Sequence, residues 1–180
     1  MVRFGLWICS VLLVTTAAQA GEAKITILAK ELAFNWSGHR LSVGMPGDDF
    51  QKVFGAPDNT LDFPGGVTGL NYLSRGVGVA VKNGQVFAVD FFMQDQNGAP
   101  EPDEQFKSAD ASTDQGVGAA STADNVIEAY GTPTKDQKFA AMGEFPSMRT
   151  LRYDTKGGHF QFFFKADKLD HISIIADPTR

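Results

Sequence analysis

One short pattern occurs twice in this chain and constrains its fold more than anything else in it. The first occurrence is Phe50-Gln51-Lys52-Val53-Phe54-Gly55-Ala56-Pro57, the second Val126-Ile127-Glu128-Ala129-Tyr130-Gly131-Thr132-Pro133. Their Gly-x-Pro ends lie 76 residues apart. Phe50, Val53 and Phe54 fall at i, i+3 and i+4, and so do Val126, Ala129 and Tyr130, which gives each segment one apolar helical face. Gly55 and Gly131 stand where a helix commonly ends in the left-handed region, which glycine enters at least cost. Pro57 and Pro133 then bar continuation. Ahead of the second helix, Ser121-x-x-Asp124 is similar to a capping box, with Asp in place of Glu or Gln.

The segments C-terminal to the two helices also repeat. After Pro57 a Gly/Pro-containing loop over 58–69 leads to three expected strands, Leu70–Leu73, Val77–Val81 and Val86–Met93, the last two joined by an Asn83-Gly84 hairpin signal. After Pro133 a loop to Ser147 leads to Arg149–Asp154, His159–Lys165 and Leu169–Ala176. Ahead of both, Lys24–Leu28 and Leu32–Trp36 form an expected opening hairpin around Ala29-Lys30-Glu31, and Arg40–Val43 an extended lead-in to the first helix. The expected fold is α+β: tandem helix plus β-meander units sharing one antiparallel sheet, with both helices on one face. The expected boundaries are a leader over 1–20, the hairpin and first unit over 21–94, a linker over 95–117 and the second unit over 118–180.

The leader carries Arg3, an apolar run from Phe4 to Val14, and Ala18-Gln19-Ala20, a small-x-small cleavage site. The run is too short to span a bilayer, so export with cleavage after Ala20 is expected, to the periplasm or beyond. Cleavage removes Arg3 and no acid, making a formal charge of −5 one unit more negative. It also removes Cys9, the single cysteine, so the mature chain is held by its core without disulfides. An acidic chain without a Lys/Arg block argues against nucleic acid as a partner, and no second apolar run reaches the length of a transmembrane segment.

Alternation of side chains across the strands sorts the sheet into two faces. Val79, Val81, Val89 and Phe91, which correspond to Phe160, Phe162, Ile172 and Ile174 in the second unit, form with them a uniformly apolar face that packs on the helices. The other face carries Asn71, Ala80, Lys82, Asp90, Phe92, Arg152, Gln161, Phe163, His171, Ser173 and Ile175. Two readings of this mixed face stand open: a protein-binding surface, or a solvated face with incidental aromatics. On the first, Phe92, Phe163 and Ile175 are apolar anchors and Lys82, Asp90, Arg152 and Gln161 their polar rim.

Motifs of catalysis are missing. The chain has no Gly-x-Ser-x-Gly, Ser-x-x-Lys, His-Glu-x-x-His or Cys-x-x-Cys. His39, His159 and His171 are too scattered to specify a metal, and Asp48-Asp49 fits the first turn of a helix, where acids meet free N–H groups. The expectation is therefore a protein that is not an enzyme and holds no cofactor or metal.

The short helix ending in Phe54-Gly55-Ala56-Pro57 or Tyr130-Gly131-Thr132-Pro133, then Leu70-Asn71-Tyr72 or Leu151-Arg152-Tyr153 and a three-stranded meander, in tandem, resembles the β-lactamase-inhibitor-protein-like fold. Single copies of a similar unit occur in outer-membrane assembly lipoproteins of the SmpA/OmlA type. The resemblance implies a non-catalytic module that binds another protein with its sheet face or edge loops. This chain lacks both the lipid-bearing cysteine of the lipoproteins and the disulfides usual in the inhibitors, so inhibition of a β-lactamase is carried over to no residue. The leading expectation is an exported protein-binding or inhibitory module; the alternatives are a cell-envelope assembly or structural factor and, third, a hydrolase or small-ligand carrier.

Overall fold

Period-two apolar runs become strands wherever one side of the chain can be buried, and strands dominate this molecule. The computed structural model describes residues 24–96 and 105–177; the expected leader and its cleavage site lie outside them. In chain order the elements are β1 (Ile25–Leu28), β2 (Ala33–Trp36), β3 (His39–Ser42), α1 (Gly47–Phe54), β4 (Asn59–Phe63), β5 (Val67–Tyr72), β6 (Val77–Lys82) and β7 (Gln85–Phe92). They continue with β8 (Ala111–Thr113), α2 (Ala123–Tyr130), β9 (Lys135–Phe139), β10 (Met148–Thr155), β11 (Gly158–Lys165) and β12 (Lys168–Ala176). With two eight-residue α-helices against twelve strands among the described residues, the fold is mainly β rather than α+β.

Two sheets form, not one. The large sheet is an eight-stranded antiparallel array in the order β4-β5-β6-β7-β12-β11-β10-β9, and the small one runs β3-β2-β1-β8. The meanders meet edge to edge where β7 pairs with β12, with Asp90 opposite Ser173 at mid-strand. In the small sheet the opening hairpin closes through a short 3-10 turn at Ala29–Glu31, and β8 joins β1 in parallel.

The core lies between one face of the large sheet and a second layer made of both helices and the small sheet. Phe34 of β2 marks the junction. Its ring meets Phe54 of α1 at 5.9 Å and 90°, and Phe91 of β7 at 5.1 Å and 80°. Such edge-to-face pairs use the ring quadrupole as well as area. Phe50, Phe54 and Val126 of the helices are fully buried, as the i, i+3, i+4 pattern requires. Tyr130 of α2 covers Phe160 and Phe162 at 5.1 and 5.3 Å. Phe34→Ala would remove the contact shared by all three elements, a change that typically costs about 3–5 kcal/mol.

Several expectations change in detail. The loops over 58–69 and 134–147 each contain an edge strand, β4 and β9. Both are largely exposed, so neither has the apolar alternation that marks a half-buried strand. The expected linker is structured from Gln105 onward: Ala109, Ala111 and Val117 are buried and β8 lies within it. The cap of α2 is one residue further on than expected. Thr122 and Asn125 cap reciprocally at 3.3 and 3.0 Å, while the Ser121 hydroxyl accepts from Gly118 N–H at 3.0 Å. Gly55 (φ 96°, ψ −178°) and Gly131 (φ 82°, ψ −161°) have the expected positive φ, but with extended ψ instead of the left-handed helical basin. The strand equivalence also shifts by two residues. Tyr72 stands opposite Val77 and Tyr153 opposite Phe160, so Val77 and Val79 occupy the places of Phe160 and Phe162. A shift of two preserves which side each residue faces.

Candidate functional site

The face of the large sheet turned away from the helices begins with a row fixed by register. It crosses all eight strands from Asn59 on β4 to Lys135 on β9, passing Gly78, Asp90, Ser173, Gln161 and Arg152. Three of the expected site residues, Asp90, Gln161 and Arg152, thus share one line. In the next row Phe92 and Phe163 both stand opposite His171. Ile175 lies on the other side of the line, between Ala88 and His159. Six of the seven are therefore brought onto one surface, and neither Phe92, Phe163 nor Ile175 belongs to the core. Lys82 keeps the same side by its register with Val67 but stands apart from them, at the far end of its strand. It ends β6 opposite Gln85 and lines a separate cleft of about 460 Å³, with Glu31, Lys156 and Asp177, between the small sheet and the hairpin ends of the large one.

The expected anchors are less free than alternation alone implied. Phe163 stacks on the His171 ring at 4.0 Å and 15°, and Phe92 lies 5.6 Å from the same ring. Phe92 is also covered by Phe106, at 4.3 Å, from the segment expected to be a linker. That segment is strapped down by backbone bonds from Lys107 N to Leu73 O (2.9 Å) and from Ala109 N to Phe92 O (2.7 Å). It passes so close to Gly76 that an added Cβ would collide with the Lys107 carbonyl oxygen and lie 2.5 Å from the Ala109 nitrogen. The composition of this segment gives no sign of such packing, because neither Phe106 nor Ala109 belongs to a periodic run.

Charge on this face is partly internal. Arg152 pairs with Asp154 at 2.7 Å along its own strand, and His171 Nδ1 with Asp170 at 2.8 Å. The Asp90 carboxylate accepts from the Ser173 hydroxyl. Burial pushes the Asp90 carboxyl above the usual carboxylate range, against the opposing pull of that bond and of His171. Ser173 donates to the Asp90 carboxylate rather than to His171. Burial and nearby Arg152 lower the His159 pKa. Among the described residues no group of three or more His, Cys, Asp or Glu could hold a metal ion.

The most exposed apolar groups lie at a corner outside the expected strands. The β9–β10 hairpin exposes Phe139 (53%), Met142 (74%), Phe145 (72%) and Met148 (48%). Phe139 stands opposite Met148, and Met148 opposite Lys165, two positions along β10 from the Thr150–Phe163 pair. Register therefore makes Phe139 and Met148 a continuation of the face that carries Phe163. The tip is closed by a reciprocal pair of backbone bonds between Met142 and Phe145, at 3.0 and 3.1 Å. The available signal was density: four large apolar residues within ten, in a stretch expected to be a loop. At the diagonal corner Phe63 is also exposed, yet its ring leans over Gly69, where a Cβ would be 2.9 Å from it.

No helix among the described residues is long and apolar enough to cross a membrane. No family model matches this chain, and no curated protein does. Two solved structures are similar in backbone. One is an extracellular protein containing an SCP domain from Bacillus anthracis, 13% identical with a TM-score of 0.49, matched over 75% of this chain and 44% of that one. The other is a DUF4309 family protein from Bacillus subtilis, 13% identical with a TM-score of 0.47, matched over 76% and 82%. The chain thus spans less than half the length of the first.

Proposed function

We propose that this chain is an exported, non-catalytic module that binds another protein through the open face of its large sheet, at the corner where Phe163, Met148 and Phe139 lead to the Met142–Phe145 tip. The observation that carries the reading is the exposure of four large apolar side chains on one hairpin, two of which, Phe139 and Met148, are in register with that face. Exposed apolar groups in such numbers mark interaction surfaces, and a few of them supply most of the binding energy. In this reading the two halves are copies of one unit, α1 with β4–β7 and α2 with β9–β12, which supports the β-lactamase-inhibitor-like resemblance. Export rests on the leader over 1–20, and the absence of catalysis on the lack of any nucleophile–base motif.

The test uses the mature chain carrying a photo-crosslinking amino acid at Phe145, Phe163 or, as a control on the helix side, Lys52. A protein captured from periplasmic extract at the first two positions and not at the third is expected. Its affinity for the unmodified chain is expected to fall at least tenfold with Phe145→Asp or Phe163→Asp, the loss of one anchor. Capture that is equal at all three positions, or affinity unchanged by both substitutions, overturns the reading.

A further inference from the structure

The central carboxylate of the large sheet is paired with no lysine or arginine among the described residues. Asp90 sits where the two meanders meet, opposite Gly78 on one side and Ser173 on the other. Among the described residues every arginine or lysine ion pair lies elsewhere, with Glu31, Asp49, Asp136 or Asp154. The partners Asp90 has are the Ser173 hydroxyl and the nearby His171, whose Nδ1 is held by Asp170. Its surroundings are otherwise small or aromatic. Along the strands on one side lie Ala80 and Ala88, opposite each other. On the other side lie Phe92 and His171, with Phe106 against Phe92. At Gly78 an added methyl would touch Phe106 Cζ and Phe92 Cε2 at 3.7 Å and the Asp90 Cβ at 3.9 Å, so two phenyl rings converge beside the carboxylate over a residue with no side chain.

A carboxylate flanked by aromatic rings, with small neighbours on its open side, is complementary to an organic cation. The charge pairs with the carboxylate, and the rings add cation–π attraction once water is displaced. Half-buried and without such a partner, the charged form of Asp90 is held at a cost that a helix-side or fully solvated acid does not carry. Folds retain such costs mainly at sites of function.

We propose that Asp90 is the recognition site for a basic side chain, lysine or arginine, presented by the protein partner, seated beside the converging rings of Phe92 and Phe106. This rests on the open-face reading above and adds to it the charge of the partner's central contact, with the apolar hairpin gripping at the corner. The partner surface it calls for is a cationic side chain set a short distance from an apolar patch.

Two measurements separate this proposal from the reading it rests on. The first needs no partner: the mature chain is titrated with Nα-acetyl-L-arginine methyl ester, and with its neutral analogue Nα-acetyl-L-citrulline methyl ester, while backbone amide resonances are followed by NMR. Saturable shifts at Gly78, Asp90 and Ser173 with the arginine ester only, lost in Asp90→Asn, are expected. Equal shifts with both esters, shifts that persist in Asp90→Asn, or none, overturn the proposal. The second compares the captured partner's affinity for Asp90→Asn and Phe145→Asp. A loss of tenfold or more in both is expected. A loss confined to Phe145→Asp removes the Asp90 proposal and leaves the face as the binding surface; a loss in neither removes both.

Discussion

The hydroxyl of Tyr72 donates to the carbonyl oxygen of Gly55 at 3.1 Å, tying the end of α1 to the last residue of β5. Tyr153 does the same for Gly131 at the end of α2, also at 3.1 Å. Each bond fixes the carbonyl of a glycine whose backbone has positive φ and extended ψ, a region open to glycine almost alone. Helix, turn and strand are thereby locked as one corner. Around the first corner Arg75 adds a bond to the Phe54 carbonyl and stacks its guanidinium on Trp36 and Phe54 at 5.1 and 5.0 Å.

Gly131→Ala should destabilise the protein by about 1–3 kcal/mol. Nothing lies within 4 Å of a Cβ built there, so the whole loss is conformational. Tyr153→Phe should cost about 1 kcal/mol through the missing bond. Urea melts measure both, and a Gly131→Ala variant as stable as the parent would contradict the backbone assignment.

Alkaline stability should depend on the same tyrosines. Burial pushes the Tyr72 phenol up from 10.0 to about 12, with Arg75 opposing and Asp58 adding. Tyr130 and Tyr153 are raised by burial too. A folded pKa above the unfolded one means the stability is fully present below about pH 10 and is lost as pH rises toward about 12. The unfolding free energy should therefore fall across that window, and Tyr72→Phe should make the fall shallower. An unchanged slope in the variant would show that Tyr72 ionises as readily folded as unfolded.

Asp90→Asn should raise stability at neutral pH. The folded carboxyl is shifted upward, so the contribution of Asp90 is fully present below the unfolded carboxylate pKa and is lost as pH rises through the folded one. Asparagine keeps a hydrogen-bond partner for Ser173 without the charge. The gain over the parent should vanish as pH falls below the ordinary carboxylate range. Denaturant melts across the acid range measure it, and a variant less stable than the parent at pH 7 would mean the charge is already compensated.

Gly76→Ala should release the strap that covers Phe92. Its φ of 64° is one objection to a side chain, and the collision with the Lys107 backbone is a second that no rotamer relieves. Overpacking of this kind costs about 1–3 kcal/mol. Hydrogen exchange at Lys107, bonded to Leu73 in the turn after β5, and at Ala109, bonded to Phe92 of β7, should accelerate well beyond that of β11 amides. Equal protection in parent and variant would place the strap's hold elsewhere.

Substitutions at the hairpin tip should behave oppositely. Met142→Asp and Phe145→Asp lie on residues that bury little, so each should change stability by no more than about 0.5 kcal/mol. Phe162→Asp, on a fully buried ring of the helix side, should unfold the protein. Thermal melts compare the three, and a large loss at Phe145 would mean the tip packs on the fold.

What the chain determined by itself is whatever one-sided burial writes into a local pattern. The two helices come from Phe50/Phe54 and Val126/Tyr130, and their ends from Gly55 and Gly131. The meander strands and the division of Val89, Phe91, Ile172 and Ile174 from Asp90, Phe92 and His171 come from alternation. Tertiary structure decided what has no local period. β4 and β9 carry mostly polar, exposed residues and are strands only because β5 and β10 offer them an edge. β8 is three residues long and exists through its parallel pairing with β1, contributed from the far end of the first half of the chain. Phe106 lies over Phe92 because the backbone beside it bonds to Leu73 and Phe92, and Phe139 continues the face of Phe163 because register across β9, β10 and β11 places it there. Period and capping are encoded within a few residues, whereas pairing partners and covered faces depend on contacts made across the whole chain, which leave no mark in any single stretch of it.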